Sequence, residues 1–209
     1  MRTALRPPTI LLVRHGQSEW NAARRLQGQT PHVPLTALGH VQALEAARAL
    51  APLRPGALIS SDLLRATQTA DHCARATGLV YSTTPALREQ GYGELEGWAS
   101  SEAAQVVHWW DLQWAARGGE SVAQLHQRIR DYLRGLCADP PADVVALVTH
   151  GDTIRAALAV ARGDGPEAMP VQTPPNGSVT VMRLDTSLMA TAPREELQAA
   201  DLPNSYRIP

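Results

Sequence analysis

The sequence TILLVRHG at residues 9–16 decides the fold of this 209-residue chain. Its first five residues form a continuous run of Thr, Ile, Leu and Val, which is typical of a strand covered on both faces in a parallel sheet. A second continuous apolar run, VVALV at residues 144–148, leads into THGD at residues 149–152. Ligands bind beyond the carboxyl ends of the strands in such sheets, so the His-Gly pair after each strand marks the expected pocket.

The segments between these strands alternate between helical and strand patterns. Residues 36–50 are predicted to form a helix, because Thr36 can cap it and apolar residues recur at helical spacing from Leu38. Further helices are predicted at residues 62–77, 101–114, 121–136 and 153–162, the first of them capped by Ser61 or Asp62. Strands are predicted at residues 57–60, 79–83 and 178–184, the last of them near an edge of the sheet. Residues 85–97 are predicted to form a loop. This order predicts an α/β fold, a three-layer sandwich with a mostly parallel central sheet flanked by helices. We expect a single domain over residues 1–209, with a core at 9–185 and a C-terminal tail at 186–209.

Charge and composition exclude several classes of function. The chain carries 19 basic and 20 acidic residues, and its formal net charge is -1. This balance lacks the basic excess that neutralises a nucleic-acid backbone, so we expect no nucleic-acid partner. All the basic residues are Arg and none is Lys, which rules out Schiff-base chemistry and a P-loop lysine. Any phosphate site must therefore consist of Arg, His and backbone amides.

Cysteine usage and hydropathy predict the compartment. Cys73 and Cys137 are far apart and lack metal-ligand spacing, which predicts buried free thiols in a reducing environment. No apolar run reaches the roughly 18 residues of a membrane span, and the run after Pro8 is too short for a signal-peptide core. We therefore expect a cytoplasmic chain with no membrane partner. The sequence favours neither a monomer nor an oligomer.

The stretch LVRHGQSEWN at residues 12–21 resembles the signature of the histidine phosphatase superfamily, in its phosphoglycerate-mutase-like branch. Further matches follow in the order that this family has. They are LQG (26–28), PLT (34–36), Gly39, SSDLLRA (60–66), TA (69–70), LRE (87–89), Gly93, EG (96–97), GES (119–121), VTHG (148–151) and NGS (176–178). A single Arg-His-Gly triplet is weak evidence, whereas an ordered set of this length is specific.

The resemblance implies roles for individual residues. His15 would attack phosphorus and become a phosphohistidine. The transferring phosphoryl group would be surrounded by Arg14, Arg65 and His150. Glu89 would donate a proton to the leaving alcohol and then take one from the hydrolytic water. The resemblance further implies a small phosphorylated metabolite as substrate, no metal ion or other cofactor, and substrate contacts by Asn21, Gln27, Gly28 and Gly151.

General physical chemistry is consistent with these roles. Phosphoryl transfer depends mainly on in-line positioning and electrostatic stabilisation, which arginine side chains can supply. Two nearby guanidinium charges disfavour protonation of His15 and so keep its lone pair available. Glu89 needs a raised pKa to stay protonated, which burial can provide. Glu94 and Glu96 are close rivals of Glu89 for this role.

Simpler alternatives apply to the other residues. Arg14 could pair with a carboxylate, and Arg65 could cap a helix or bridge to Asp62. The segment GES at 119–121 is expected to begin a helix without a catalytic role. The remaining histidines lack metal-ligand spacing and are expected to be ordinary surface or packing residues: His32, His40, His72, His108 and His126.

The superfamily contains both phosphatases and phosphoglycerate mutases. Mutases of this branch carry a longer insertion with extra basic residues between the proton-donor segment and the Gly-Glu-Ser segment. Here the span from Glu89 to Glu120 is short, and Arg117 is its only basic residue. We therefore expect a phosphatase, that is, a phosphoric monoester hydrolase; the alternative is a 2,3-bisphosphoglycerate-dependent phosphoglycerate mutase. An inactive binding module is the non-enzyme alternative, and the presence of every expected catalytic residue weakens it.

Three tryptophans, Trp109, Trp110 and Trp114, occupy the same span. Trp110 and Trp114 are one turn apart and would share a face of the predicted helix at 101–114. They could pack in the core, as aromatic residues usually do. Alternatively, they could form an apolar wall that favours a bulky leaving group.

Overall fold

A five-stranded sheet forms the centre of the protein, for which the computed structural model describes residues 7–108 and 110–184. Its strands are β1 (Thr9–Arg14), β2 (Ala57–Ser61), β3 (Tyr81–Thr84), β4 (Val144–Thr149) and β5 (Val179–Arg183). They lie in the order β3-β2-β4-β1-β5, in which the first four are parallel and β5 is antiparallel to β1. The predicted mostly parallel sheet and the edge position of its last strand are confirmed.

Helices connect these strands in the described part of the chain. They are α1 (Glu19–Ala22), α2 (Ala37–Leu50), α3 (Leu64–Thr77), α4 (Ser100–Val106), α5 (Val122–Ala138) and α6 (Gly151–Arg162). Short 3-10 turns lie at Ala51–Leu53, Pro85–Leu87, Gly93–Leu95 and Pro166–Ala168. The connections that follow β1 and β2 each contain a helix of 14 residues.

Alternate residues of β1 face two separate hydrophobic cores. Ile10 and Leu12 pack with residues of α5 and α6 on one face of the sheet. Leu11 and Val13 pack with residues of α2 and α3 on the other face. Successive strand residues point to opposite faces, so a strand covered on both sides requires an apolar residue at each position. This arrangement explains the continuous apolar run and confirms the three-layer sandwich.

The pairing of β1 with β4 brings the two His-Gly pairs together. Arg14 pairs with Thr149, so the two strands end at the same level. The backbone N–H of His15 donates to the carbonyl of Thr149 at 3.0 Å. His15 and His150 therefore leave the sheet side by side at its carboxyl edge.

The helix predicted at residues 101–114 is wrong in its second half. Helix α4 ends at Val106, and Val107 leaves the helical path. Its side chain packs with Tyr92 and Leu95 in a small cluster apart from the two main cores. This tertiary contact, rather than a helix-breaking residue, sets the end of the helix.

The predicted cap of α3 is also wrong. Ser61 is the last residue of β2, and its hydroxyl accepts from the N–H of Leu63 at 3.3 Å. Asp62 forms an ion pair with Arg88 at 2.6 Å, so it caps no helix and makes no bridge to Arg65. The helix begins only after Leu63, which acts as its N-cap without a side-chain hydrogen bond.

The other differences concern the bounds of short elements. The strand predicted at 79–83 spans Tyr81–Thr84, the helix predicted from residue 153 begins at Gly151, and the short helix Glu19–Ala22 is not predicted. The predicted loop at 85–97 contains two 3-10 turns. Element ends depend on capping and tertiary contacts, which the local pattern records poorly. The predicted tail at 186–209 lies outside the described residues.

The two cysteines are buried and free. Cys73 lies in the core against α2 and α3, whereas Cys137 lies in the core against α5 and α6, on the opposite face of the sheet. Burial raises the pKa of the Cys73 thiol to about 12. The prediction of buried free thiols is confirmed. Across the described residues, no helix combines the length and apolar character that crossing a membrane requires.

A pair of glycines allows α2 to touch the loop that follows β1. A Cβ on Gly39 would lie 2.0 Å from the carbonyl oxygen of Gln17, and one on Gly16 would lie 2.1 Å from the carbonyl oxygen of Gly39. Thr36 caps the helix as predicted, because its hydroxyl accepts from the N–H of Gly39 at 3.0 Å. The position of the loop that carries His15 therefore depends on the absence of side chains at both glycines.

Gly39→Ala is expected to destabilise the protein by about 1–3 kcal/mol, because the new methyl group overlaps a backbone oxygen. Gly135→Ala is the matched control: it lies in α5 with nothing within 4 Å of its Cβ position, and the change should stabilise the protein. The expected gain is about 0.5–1 kcal/mol. Urea unfolding measures both changes; equal effects of the two substitutions would contradict the close approach.

Candidate active site

His15 is buried at the end of β1, and its own loop fixes its ring. Its Nδ1 lies 2.6 Å from the carbonyl oxygen of Gly16. A carbonyl can only accept, so Nδ1 carries the proton and Nε2 keeps its lone pair. Burial, followed by the charges of Arg65 and Arg14, holds the pKa of His15 well below its ordinary value of 6.5. The side chain is therefore a neutral imidazole with a nucleophilic Nε2.

Arg65 of α3 is fully buried and has no ion-pair partner within 4.0 Å among the described residues. Its Nη2 and Nη1 donate to the carbonyls of Gly28 at 2.8 Å and Thr30 at 3.2 Å, while its Nε has no hydrogen-bond partner. Burial lowers the pKa of Arg65 to about 10, against the opposing charge of Glu89, so it is a cation at neutral pH. Gly28, a predicted substrate contact, thus adjoins a buried cation with a free donor.

Arg14 supplies a second guanidinium beside the start of α6. Its Nη1 donates to the carbonyl of Pro174, and its buried Nε has no partner in the described structure. The Cβ position of Gly151, another predicted substrate contact, is 3.5 Å from Nη2 of Arg14. Burial lowers the pKa of Arg14, while the charges of Glu89 and Asp152 raise it. Among the described residues, Arg14 forms no ion pair with a carboxylate, which was the alternative to a role in phosphate binding.

His150 faces His15 across the end of the sheet. The centroids of the two rings are 5.0 Å apart. Nε2 of His150 lies 2.8 Å from the hydroxyl of Ser61, and its buried Nδ1 has no partner. Burial, followed by the charge of Arg65, holds the pKa of His150 well below its ordinary value.

Unpartnered buried polar atoms concentrate in this pocket. The described residues contain four such side-chain atoms, and three of them belong to Arg14, Arg65 and His150. Buried polar groups in native proteins normally have a partner, so each exception calls for an explanation. A polyatomic anion beside His15 would satisfy all three nitrogens.

Glu89 accepts hydrogen bonds from the N-terminus of α6. The N–H of Asp152 lies 3.1 and 3.3 Å from its two carboxylate oxygens, and the N–H of Thr153 lies 3.1 Å from Oε1. Burial, followed by the charge of Asp152, raises the pKa of Glu89, whereas Arg65 and Arg14 lower it. The carboxyl group thus lies between opposing charges, which suits a group that must both give and take a proton.

The two rival glutamates have structural roles. Glu94 pairs with the exposed Arg117 at 3.2 Å on the surface. Glu96 accepts from the N–H of Gln29 at 2.8 Å and from the hydroxyl of Thr30 at 2.6 Å. Its carboxylate therefore holds the loop whose carbonyls face Arg65. Of the three candidates, only Glu89 contacts the start of α6.

An ion pair that the sequence analysis missed supports the Glu89 loop. Arg128 of α5 binds Glu120 through Nε at 2.8 Å and Nη2 at 2.7 Å. The same guanidinium donates to the carbonyls of Ala86 at 2.8 Å, Arg88 at 3.0 Å and Glu89 at 3.2 Å. The Gly-Glu-Ser match pointed to Glu120, but no sequence signal marks Arg128. Together they fix the backbone on either side of the acid.

The predicted contacts Asn21 and Gln27 meet at Ser18. The hydroxyl of Ser18 lies 2.6 Å from Oε1 of Gln27 and 3.1 Å from Oδ1 of Asn21. Asn176, from the loop before β5, donates to the carbonyl of His15 at 3.1 Å and to Asn21 at 3.3 Å. The structure thereby connects all nine predicted site residues, directly or through one neighbour, at the carboxyl edge of the sheet.

The tryptophans do not form the predicted helical face, because α4 ends before them. Trp110 is 79% exposed and stacks on His108 with ring centroids 5.3 Å apart. Trp114 is half-buried and packs in the small cluster with Tyr92 and Leu95. Trp109 lies outside the described residues. Trp114 thus packs partly in a core, whereas the exposed Trp110 does not.

Three of the remaining histidines have partners outside this pocket. His40 and His72 form a hydrogen bond to each other at 3.2 Å on the surface, and Nε2 of His126 lies 3.1 Å from the carbonyl of Asp164. Residues 7–108 and 110–184 contain no group of three or more His, Cys, Asp or Glu side chains that could hold a metal ion. The groups that the described pocket offers for chemistry are two neutral imidazoles, two guanidinium groups and one carboxyl group.

Comparison with known proteins matches residues 10–191 to the family model "Histidine phosphatase superfamily (branch 1)". A glucosyl-3-phosphoglycerate phosphatase of Mycobacterium tuberculosis is 36% identical over 169 residues, which cover 74% of this chain and 75% of that protein. A probable phosphoglycerate mutase GpmB of Yersinia enterocolitica is 36% identical over 166 residues, which cover 76% of this chain and 77% of that protein.

The fold matches solved structures of the same kind. A mycobacterial glucosyl-3-phosphoglycerate phosphatase in complex with VO3 superposes with a TM-score of 0.75 and 32% identity, over 83% of this chain and 92% of that chain. The family match spans most of the chain, and it includes both strands that carry the histidines. The chain therefore belongs to the histidine phosphatase superfamily, branch 1, and is a phosphomonoester hydrolase of the histidine phosphatase type.

Proposed function

We propose that this protein hydrolyses small phosphorylated metabolites through a phosphohistidine on Nε2 of His15, without a metal ion. The observation that carries the proposal is the set of buried unpartnered nitrogens on Arg14, Arg65 and His150 beside that ring. A phosphoryl group has several strong acceptor oxygens, which match these donors in number and charge. Asn21, Gln27, Gly28 and Gly151 complete the proposed substrate site.

In the first step, the lone pair on Nε2 of His15 attacks phosphorus in line with the ester bond. The P–O bond breaks, and its electron pair goes to the alcohol oxygen, which takes the proton of Glu89. Arg14 and Arg65 stabilise the charge on the equatorial oxygens, and His150 donates through Nδ1. The hydroxyl of Ser61 supports that role, because it can donate a hydrogen bond to Nε2 of His150, so that the proton of the neutral ring lies on Nδ1.

In the second step, the carboxylate of Glu89 takes a proton from water. The water oxygen attacks phosphorus, the P–N bond breaks, and the electron pair returns to Nε2 of His15. Inorganic phosphate leaves, and Glu89 is protonated again for the next cycle. In the described part of the chain, the guanidinium groups of Arg14 and Arg65 supply positive charge that phosphoryl transfer requires, which supports a metal-independent mechanism.

Hydrolysis is favoured over mutase activity by the composition of the span after Glu89. Arg117, its only basic residue, has a side chain 89% exposed and paired with Glu94, so it offers no grip on a second anionic group. Among the relatives, the substrate named for the Mycobacterium tuberculosis phosphatase, glucosyl-3-phosphoglycerate, is the first to assay. We propose a cytoplasmic location on the basis of the free buried thiols.

His15→Ala is expected to lower the rate of phosphate release by at least about 10³-fold, because the phosphohistidine can then no longer form. The neighbouring His150 is no substitute in the proposed mechanism, since its Nε2 is bonded to Ser61 and its Nδ1 carries the proton. Phosphate release from a panel of phosphomonoesters in the presence of a chelator measures this, with the surface variant His40→Ala as the control. Normal turnover by His15→Ala would overturn the mechanism. Conversion of 3-phosphoglycerate that depends on 2,3-bisphosphoglycerate, without net release of phosphate, would support the mutase instead.

Glu89→Gln is expected to slow hydrolysis of an alkyl phosphate by about 10²–10⁴-fold, because the alkoxide then leaves without a proton. The rate of phosphohistidine formation from p-nitrophenyl phosphate should change far less, because that leaving group needs no proton. Glu94→Gln, which removes a surface carboxylate nearby, is the matched control. Equal losses on both esters would mean that Glu89 is not the acid.

His15 is expected to be neutral, with its proton on Nδ1, at about pH 6, where an ordinary imidazole is mostly protonated. The reason is the lowered pKa that burial and the two guanidinium charges cause. NMR spectra of protein labelled with ¹⁵N at histidine show this directly, and the spectrum of His15→Ala assigns the signal. A cationic His15 at that pH would contradict the proposed electrostatics.

A further inference from the structure

We propose that Asp152 is a positioning residue for this reaction, whose fixed carboxylate keeps the proton on Glu89 until the alcohol leaves. The proposal rests on the function proposed for Glu89. It adds a residue outside the set expected from the sequence, and it assigns that residue a measurable effect.

Asp152 contacts Glu89 through its backbone and faces other partners with its side chain. It is the second residue of α6, and its N–H donates to the carboxylate of Glu89 at 3.1 and 3.3 Å. Its Oδ2 accepts from the hydroxyl of Tyr92 at 3.0 Å, and its Oδ1 accepts from Nη1 of Arg155 at 2.7 Å. Tyr92 is buried, so the carboxylate is held at both oxygens beside the acid.

Both carboxylate oxygens of Asp152 have a hydrogen-bond donor. The hydroxyl and the guanidinium donate to it, and the N-terminus of a helix stabilises negative charge. Glu89 and Asp152 share that helix N-terminus, and two adjacent carboxyl groups do not both ionise easily. Glu89 accepts only from the backbone N–H groups of Gln90, Asp152 and Thr153 and from the Thr153 hydroxyl at 3.3 Å, and no guanidinium of the described residues donates to its carboxyl group. Burial and the charge of Asp152 raise its pKa, so the proton resides on Glu89.

The charges around Glu89 explain why such a device is needed. The charges of Arg65 of α3 and Arg14 of β1 lower the pKa of Glu89. Arg128 of α5 donates to its backbone carbonyl. The two imidazoles of the pocket are neutral because their pKa values are low. Among these groups, Asp152 is the one that opposes the guanidinium charges. Asp152 thus adds to the effect of burial, which is the larger cause of the raised pKa of Glu89, and opposes the cations that favour the ionised acid.

The test is the pH dependence of kcat/KM for an alkyl phosphate, whose hydrolysis needs a protonated Glu89. Activity falls as the pH rises through the pKa of Glu89, which forms the basic limb of the profile. Asp152→Asn removes the negative charge and should move this limb to lower pH by about one unit. Arg155→Gln removes the cation that partly neutralises Asp152. The pKa of Glu89 should then rise, and the basic limb should move to higher pH.

Two controls separate this effect from damage to the fold. With p-nitrophenyl phosphate, neither variant should move the limb, and the retained rate shows a folded site. Asp164→Asn removes an exposed ion pair with Arg162 just after the end of α6 and should leave both profiles unchanged.

Each outcome decides a separate point. An unmoved limb in Asp152→Asn, or equal losses on both esters, overturns the role of Asp152 while Glu89→Gln still shows its expected preference for good leaving groups. If Glu89→Gln lacks that preference, the assignment of Glu89 fails first. Should Asp152→Asn not fold, the upward shift in Arg155→Gln tests the same charge, and its absence overturns the proposal.

Discussion

The buried guanidinium of Arg65 is the interaction on which the rest of the structure depends. Burying a charge without a counter-ion is costly, and the protein offsets that cost with carbonyl oxygens rather than a carboxylate. A carboxylate would have neutralised the group and left nothing for a phosphoryl anion. The loop at residues 28–30 must therefore be held in place, and the carboxylate of Glu96 does this from the opposite side.

The same logic extends to the loop that carries Glu89. The carbonyls of Ala86, Arg88 and Glu89 converge on the guanidinium of Arg128, whose charge is balanced by Glu120. A single charged residue thus holds three backbone carbonyls within residues 86–89. The Gly-Glu-Ser segment is a structural support of the pocket, and its serine begins α5 as expected.

The sequence predicts the sheet and the pocket histidines well, because both depend on local patterns. A continuous apolar run marks each central strand, and the residue after it lies at the carboxyl edge wherever the strand sits in the sheet. The support of Glu89 could not be predicted in this way. Its donors come from residues 63 and 64 positions away, and their contact depends on how α6 packs. The end of α4 was missed for a similar reason, because Val107 leaves the helix to reach a distant cluster.

A pocket that binds phosphate and also protonates an alcohol makes opposing demands on its electrostatics. The guanidinium charges hold His15 neutral, which the nucleophile requires, but they also favour the ionised form of Glu89. A dianionic phosphoryl group offsets part of that positive charge when it binds, so the substrate itself favours the protonated acid. Once the alcohol has left with the proton, Glu89 becomes the carboxylate that activates water. The protonation state of Glu89 thus follows the stage of the reaction. Burial and the charge of Asp152 raise its pKa before the substrate binds.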